Sequence, residues 1–152
     1  VILAGVSTIL ACAGPRLPIP AGPMGSVAVD ADTAIAFQQR AEVFYQRLIQ
    51  RRFNTLETFN DHVLREHFRS RDLFYDYYAD LAQNLSEAHF EKSRPLRVQV
   101  QEFLFDSPEE ARIQVRFVGD DGRPLRPGRV ALIRRDRWER VDGGWWLVPG
   151  KL

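Results

Sequence analysis

The sequence predicts an α+β domain, and three observations carry that prediction. Apolar residues recur every three to four positions from Thr33 to about Lys92, the spacing of amphipathic helices. After Pro95 the apolar period drops to two, the spacing of half-buried antiparallel strands. Asp142-Gly143 then separates two aromatic-bearing runs, and a type I′ hairpin turn needs two such residues with positive φ. Three N-terminal helices packed on a four-stranded, antiparallel, curved sheet follow from these signals, since a sheet with one apolar face must cover it.

The first helix is expected from Thr33 to about Arg52. Phe37, Ala41, Phe44, Tyr45 and Leu48 form its apolar stripe, Asp32 or Thr33 caps its start, and Arg40, Arg47 and Arg51 line the stripe's edge. Asn54 with Glu57 three residues on reads as a capping box for a short second helix bearing Leu56, Phe59, Val63 and Phe68. The third helix is expected from Arg71 to Lys92. Phe74, Tyr77, Tyr78, Leu81, Leu85 and Ala88 lie on one side of it, with Asp72, Asp76, Asp80, Glu87 and Glu91 on the other. Pro95 ends it. The strands follow. Val98, Val100 and Leu104 share one face of the first (Leu96 to Phe105), and Ala111, Ile113, Val115 and Phe117 one face of the second. A third spans about Arg129 to Val141, and a fourth runs from Trp145 to Val148.

Before residue 34 the composition is different. Residues 1–11 are uncharged and mostly apolar, and end at Cys12, the chain's one cysteine. That length suits the apolar core of a secretory signal and falls short of the roughly 20 residues that span a bilayer. With neither a methionine nor a basic start, the run reads as the remnant of a signal that has lost its charged beginning. Ile9-Leu10-Ala11-Cys12 resembles a bacterial lipobox, which implies acylation of Cys12; Ala11-Cys12-Ala13 also fits an ordinary secretory cleavage site, and an apolar N-terminal element stays open as a third reading. By resemblance to enterobacterial sorting, Ala13 in place of Asp favours the outer membrane, facing the periplasm. Residues 12–33 then form a Pro/Gly-rich tether with a reach of about 25 Å as a coil and about 65 Å extended. The domain proper is residues 34–152.

The closing run Trp138-x-x-x-Asp142-Gly143-x-Trp145-Trp146-Leu147, after helices and four strands, resembles the nuclear transport factor 2-like superfamily over about residues 34–149. The resemblance implies a cone whose helices and sheet enclose a pocket. Some members use it for isomerase, dehydratase or cyclase chemistry, and others only bind partners, so fold does not choose between them. The short strand pair that the family usually inserts before its third helix has no counterpart, since residues 69–92 read as continuous helix.

Overall charge argues against a dedicated nucleic-acid binder: 152 residues carry 21 basic and 20 acidic side chains, for a net +1. One cysteine and three histidines leave no multi-cysteine metal site, and His62 and His67, five apart, cannot chelate as an i, i+4 pair. No metal or cofactor is expected. Tyr78, His89 and Trp138 are the candidate pocket residues: His89 as an acid or base titrating near neutrality, Tyr78 as an orienting hydroxyl. Each also has an ordinary packing or rim reading. Asp72, Asp76 and Asp80 read as a solvated helix face. Between Arg94 and Arg140 eleven arginines face eight acidic residues. Arg123, Arg126, Arg129, Arg134, Arg135 and Arg137 form a candidate basic surface for anionic headgroups, an acidic protein or a polyanionic glycan, against the reading of a solvated strand face with cross-strand pairs. No Gly-rich phosphate loop follows a strand and no Gly-x-Ser-x-Gly occurs. The expectation is a membrane-anchored, non-catalytic envelope lipoprotein that binds a protein or small ligand; the alternative is an isomerase- or dehydratase-type enzyme.

Overall fold

A computed structural model describes residues 27–150. The signal remnant, Cys12 and most of the tether lie outside the described residues. Helix α1 spans Ala31–Ile49, α2 Leu56–Phe59, α3 His62–Arg65 and α4 Arg71–Glu87; a 3₁₀ turn covers Glu91–Ser93. Strands β1 (Arg97–Ser107), β2 (Glu110–Asp120), β3 (Arg129–Val141) and β4 (Gly144–Val148) form one antiparallel meander in the order β1-β2-β3-β4. The α+β class and the four strands match the expectation; the helices differ in number and ends.

Each difference has a local cause. The cap of α1 is Asp30, whose Oδ1 accepts from the Thr33 N–H at 2.8 Å, so the helix starts two residues before Thr33. It stops at Ile49, short of Arg52. The expected second helix is two helices of four residues each. Asn54 takes a positive φ of 64°, so Thr55 becomes the cap of α2, while Glu57 pairs with Arg51. Asp61 then interrupts the helix because its carboxylate is taken: Oδ1 caps α3 through the Leu64 N–H at 3.0 Å, and Oδ2 holds Arg47 at 2.9 Å and Arg51 at 2.5 Å.

α4 ends at Glu87 rather than Lys92 through a Schellman motif. The Phe90 N–H donates to Leu85 O at 2.9 Å, the His89 N–H donates to Ser86 O at 3.0 Å, and His89 stands at φ 61° in the left-handed position usually given to glycine. Phe90 and Leu85, both buried, are the hydrophobic pair of that motif. Phe90 also bridges to Asp121 and lies against Gly119, where a Cβ would meet its ring at 2.5 Å and Arg94 O at 2.8 Å. In β1 the inward face changes at a bulge between Val100 and Glu102. Val98 and Val100 face inward before it, opposite Phe117 and Val115; Phe103 and Phe105 do so after it, opposite Ile113 and Ala111, and Leu104 faces out.

α1 and α4 cover the inward face. Trp138 of β3, 0% exposed, is at the centre, with ring centroids 5.9 Å from Phe37, 5.7 Å from Phe44 and 6.4 Å from His67. Full burial of such a side chain contributes roughly 1.5–3 kcal/mol, so this nest is the main anchor of helix to sheet. Both sheet edges are partly engaged: the Val27 N–H donates to Phe105 O of β1 at 2.8 Å, and the Leu147 N–H of β4 donates to His67 O at 2.9 Å.

Candidate functional site

Strand alternation places Val130, Leu132, Arg134, Asp136 and Trp138 on the inward face of β3, and Arg135 and Arg137 on the outward face. Two charged groups therefore enter the interior beside Trp138. Asp136 is 3% exposed, and the Arg134 side chain is 11% exposed. Helices α1 and α4 supply what makes their burial tolerable. The hydroxyls of Tyr45 and Tyr77 donate to Asp136 Oδ2 at 2.8 and 3.0 Å. Arg134 reaches Asp136 Oδ1 with Nη2 at 3.3 Å and Nε at 3.4 Å, and sends Nη1 to Asp80 Oδ2 at 2.6 Å. Its guanidinium also lies 4.9 Å from the centre of the Tyr77 ring. Tyr77 and Asp80 are three apart on α4 and so share a face.

The electrostatics are those of a closed network. Burial, then the Asp136 charge, push both tyrosine hydroxyls well above their ordinary pKa of 10, so both stay protonated donors. Burial works against the charge of Arg134, but Tyr77, Asp136 and Asp80 outweigh it and raise its pKa. Four donor atoms meet the roughly four lone-pair sites of the Asp136 carboxylate. Beside the network, where β4 stops at Val148, opens a cleft of about 570 Å³ lined by Asp80, Arg134–Arg137 and Val148–Gly150.

The candidate pocket residues do not converge. Trp138 is enclosed in the core. The Tyr78 hydroxyl accepts from the Thr55 N–H at 3.1 Å and donates to Thr55 O at 3.3 Å, fixing α2 to α4. His89 is exposed, and its place is explained by the end of α4. The six arginines of the candidate basic surface likewise separate. Arg123 pairs with Asp121, and Arg129 with Asp120 at 2.6 Å; Arg126 is exposed in the same loop; Arg134 is interior; Arg135 and Arg137 face out. Asp80 is no solvated carboxylate, since it pairs with Arg134, whereas Asp72 and Asp76 are exposed as expected. The interior network itself was missed. Its signal was present in β3, where Arg134 and Asp136 share the parity of Val130, Leu132 and Trp138.

Among the described residues no group of three or more His, Cys, Asp or Glu side chains is placed to hold a metal ion, and no helix is long and apolar enough to cross a membrane. Comparison with protein-family models, curated proteins and solved structures gives no match.

Proposed function

We propose that this chain is a non-catalytic binding domain of the nuclear transport factor 2-like type, held at a bacterial outer membrane, on its periplasmic side, by acylation of Cys12. The observation that carries the binding reading is the closure of the Tyr45–Asp136–Tyr77–Arg134 network. The titratable groups that the strand turns inward are bonded to one another. Trp138 and the surrounding aromatic rings pack the core beside the network. Recognition then falls to the surface, including the cleft where β4 stops, and there a protein or small ligand would dock. The anchor reading draws on Ile9-Leu10-Ala11-Cys12 and the Pro/Gly-rich segment behind it. The isomerase or dehydratase alternative needs Tyr78 and His89 on one concavity, and one is tied to Thr55 while the other ends α4.

The test is fractionation of Gram-negative cells that make the chain behind a supplied basic signal start. The wild-type chain is expected in the membrane fraction and Cys12→Ser in the soluble periplasmic fraction. Membrane association unchanged in Cys12→Ser would overturn the anchor.

A further inference from the structure

The outward face of the sheet carries a pattern that its stability does not explain. On it, Arg97 of β1 lies opposite Val118, Arg116 of β2 opposite Gln99 and Ile133, and Arg135 of β3 opposite Gln114. Each successive arginine is one strand across and two residues along. With strands about 4.8 Å apart and two residues rising about 6.8 Å, the Cα atoms step diagonally by roughly 8 Å. Among the described residues, no carboxylate lies within ion-pair distance of any of the three, although other arginines of the sheet have such partners. Glutamines meet two of them instead. Arg116 donates to Gln99 Oε1 at 3.3 Å; Arg135 donates to Gln114 Oε1 at 3.0 Å, and Gln114 donates to Gln101 Oε1 at 3.1 Å. The amides orient the guanidiniums without neutralising them. Beside the stripe Arg112 and Arg137 stand directly opposite each other, a like-charge pair that costs stability. Asp106 and Glu139 pair with these two, and with Glu110 make one end of the face acidic; Glu102 flanks the stripe on β1.

We propose that this face binds an acidic polysaccharide laid along Arg97, Arg116 and Arg135. The proposal rests on the binding reading above and names its ligand class. Unpaired guanidiniums at a regular spacing suit an anionic polymer, and the glutamine amides beside them suit sugar hydroxyls. Ile133, 57% exposed between Arg116 and Arg135, offers a flat aliphatic rest for the C–H face of a sugar ring. Single-stranded nucleic acid is disfavoured because the stripe has no aromatic ring on which bases could stack.

The experiment is fluorescence anisotropy of the full chain with labelled polygalacturonate, an unbranched chain with a carboxylate on each sugar, and neutral dextran as control. Binding to polygalacturonate alone is expected, weakening at least about tenfold when salt shortens the Debye length from about 30 Å to about 8 Å. Arg116→Gln or Arg135→Gln should each weaken it about fivefold, the worth of one good surface ion pair, and Arg97→Gln/Arg116→Gln/Arg135→Gln should abolish it. Arg123→Gln/Arg126→Gln, which removes charge from the β2–β3 loop outside the stripe, should change it less than about twofold; an unchanged urea midpoint shows that each variant folds. No binding, equal loss in the loop variant, or preference for anionic-lipid vesicles or polyglutamate at matched charge would overturn the proposal. Such a failure with Cys12-dependent fractionation intact leaves the anchored domain standing. Binding with fractionation lost removes the anchor and keeps the ligand.

Discussion

Replacing the two interior tyrosines by phenylalanine isolates the energetics of the buried network. Tyr45→Phe and Tyr77→Phe each delete one oxygen and leave the ring in its nest. The bonds lost are 2.8 and 3.0 Å long and end on the same oxygen, Asp136 Oδ2. A hydrogen bond to a charged group contributes about 1.5–3 kcal/mol, so each single variant should lose about 2 kcal/mol. The double variant should lose more than the sum. After one deletion Oδ2 still has a donor; after both it is a buried carboxylate oxygen with none, which adds about 1 kcal/mol of coupling, for a total near 5 kcal/mol. Urea unfolding followed by tryptophan fluorescence reads this directly, because Trp138 lies 6.5 Å from the Tyr45 ring centre. With an m-value of about 1.5 kcal/mol per M, each single midpoint falls by about 1.3 M and the double by about 3.3 M. Single losses under about 0.5 kcal/mol would show the carboxylate to be solvated and the network to be incidental. Strictly additive losses would show that the two hydroxyls do not depend on one shared oxygen.

Two further predictions concern histidines. Burial first, and the Arg40 guanidinium second, hold the His67 imidazole below its ordinary pKa of 6.5. The unfolded chain therefore takes up this proton at a higher pH than the folded one. The His67 contribution to stability is full above about pH 6.5 and is lost as pH falls through the lower folded value. The urea midpoint should drop between pH 7 and pH 5 in the wild-type chain, and His67→Phe should flatten that drop; an equal slope in both would remove His67 as its source. At the end of α4, His89→Gly should raise the midpoint by the equivalent of about 0.5–1 kcal/mol, because glycine takes a positive φ without the Cβ penalty, and His89→Val should lower it. A loss of stability in His89→Gly would show that the imidazole makes contacts worth more than the backbone strain it carries.

Much of this architecture is legible in the chain. The stripe of α1, the alternation of β2 and β3 and the Asp142-Gly143 turn are strong because many residues agree on one period, and the turn has φ of 51° and 78° at its two residues. What escaped reading depends on single residues. The end of α4 carries no glycine, so the Schellman motif is invisible until Phe90 is seen to be buried. The β1 bulge shifts parity by one, and Phe103-Leu104-Phe105 is apolar on either reading. Asp61 interrupts the expected helix because its carboxylate caps α3 and holds both Arg47 of α1 and Arg51 just past the end of α1. Arg134 and Asp136 were counted as surface charge because composition ignores parity, yet their places between Leu132 and Trp138 put them inside.

β3 thus carries arginines under two regimes, and the difference separates stability from function. Arg134 sits where desolvation makes its partners obligatory, so deleting it strands Asp136 and should cost about 3–5 kcal/mol, as breaking buried pairs does. Arg135 sits one residue on, in water, held by a glutamine oxygen. Its removal should leave stability within about 0.5 kcal/mol. The same applies to Arg116, and the Arg112–Arg137 juxtaposition is mildly unfavourable for the fold. Packing alone gives no reason for a stripe of unpaired guanidiniums on the one sheet face that no described helix covers. A variant set that lowers the urea midpoint only at Arg134, and lowers polygalacturonate binding at Arg97, Arg116 and Arg135, would assign the inward arginine to the fold and the outward ones to recognition.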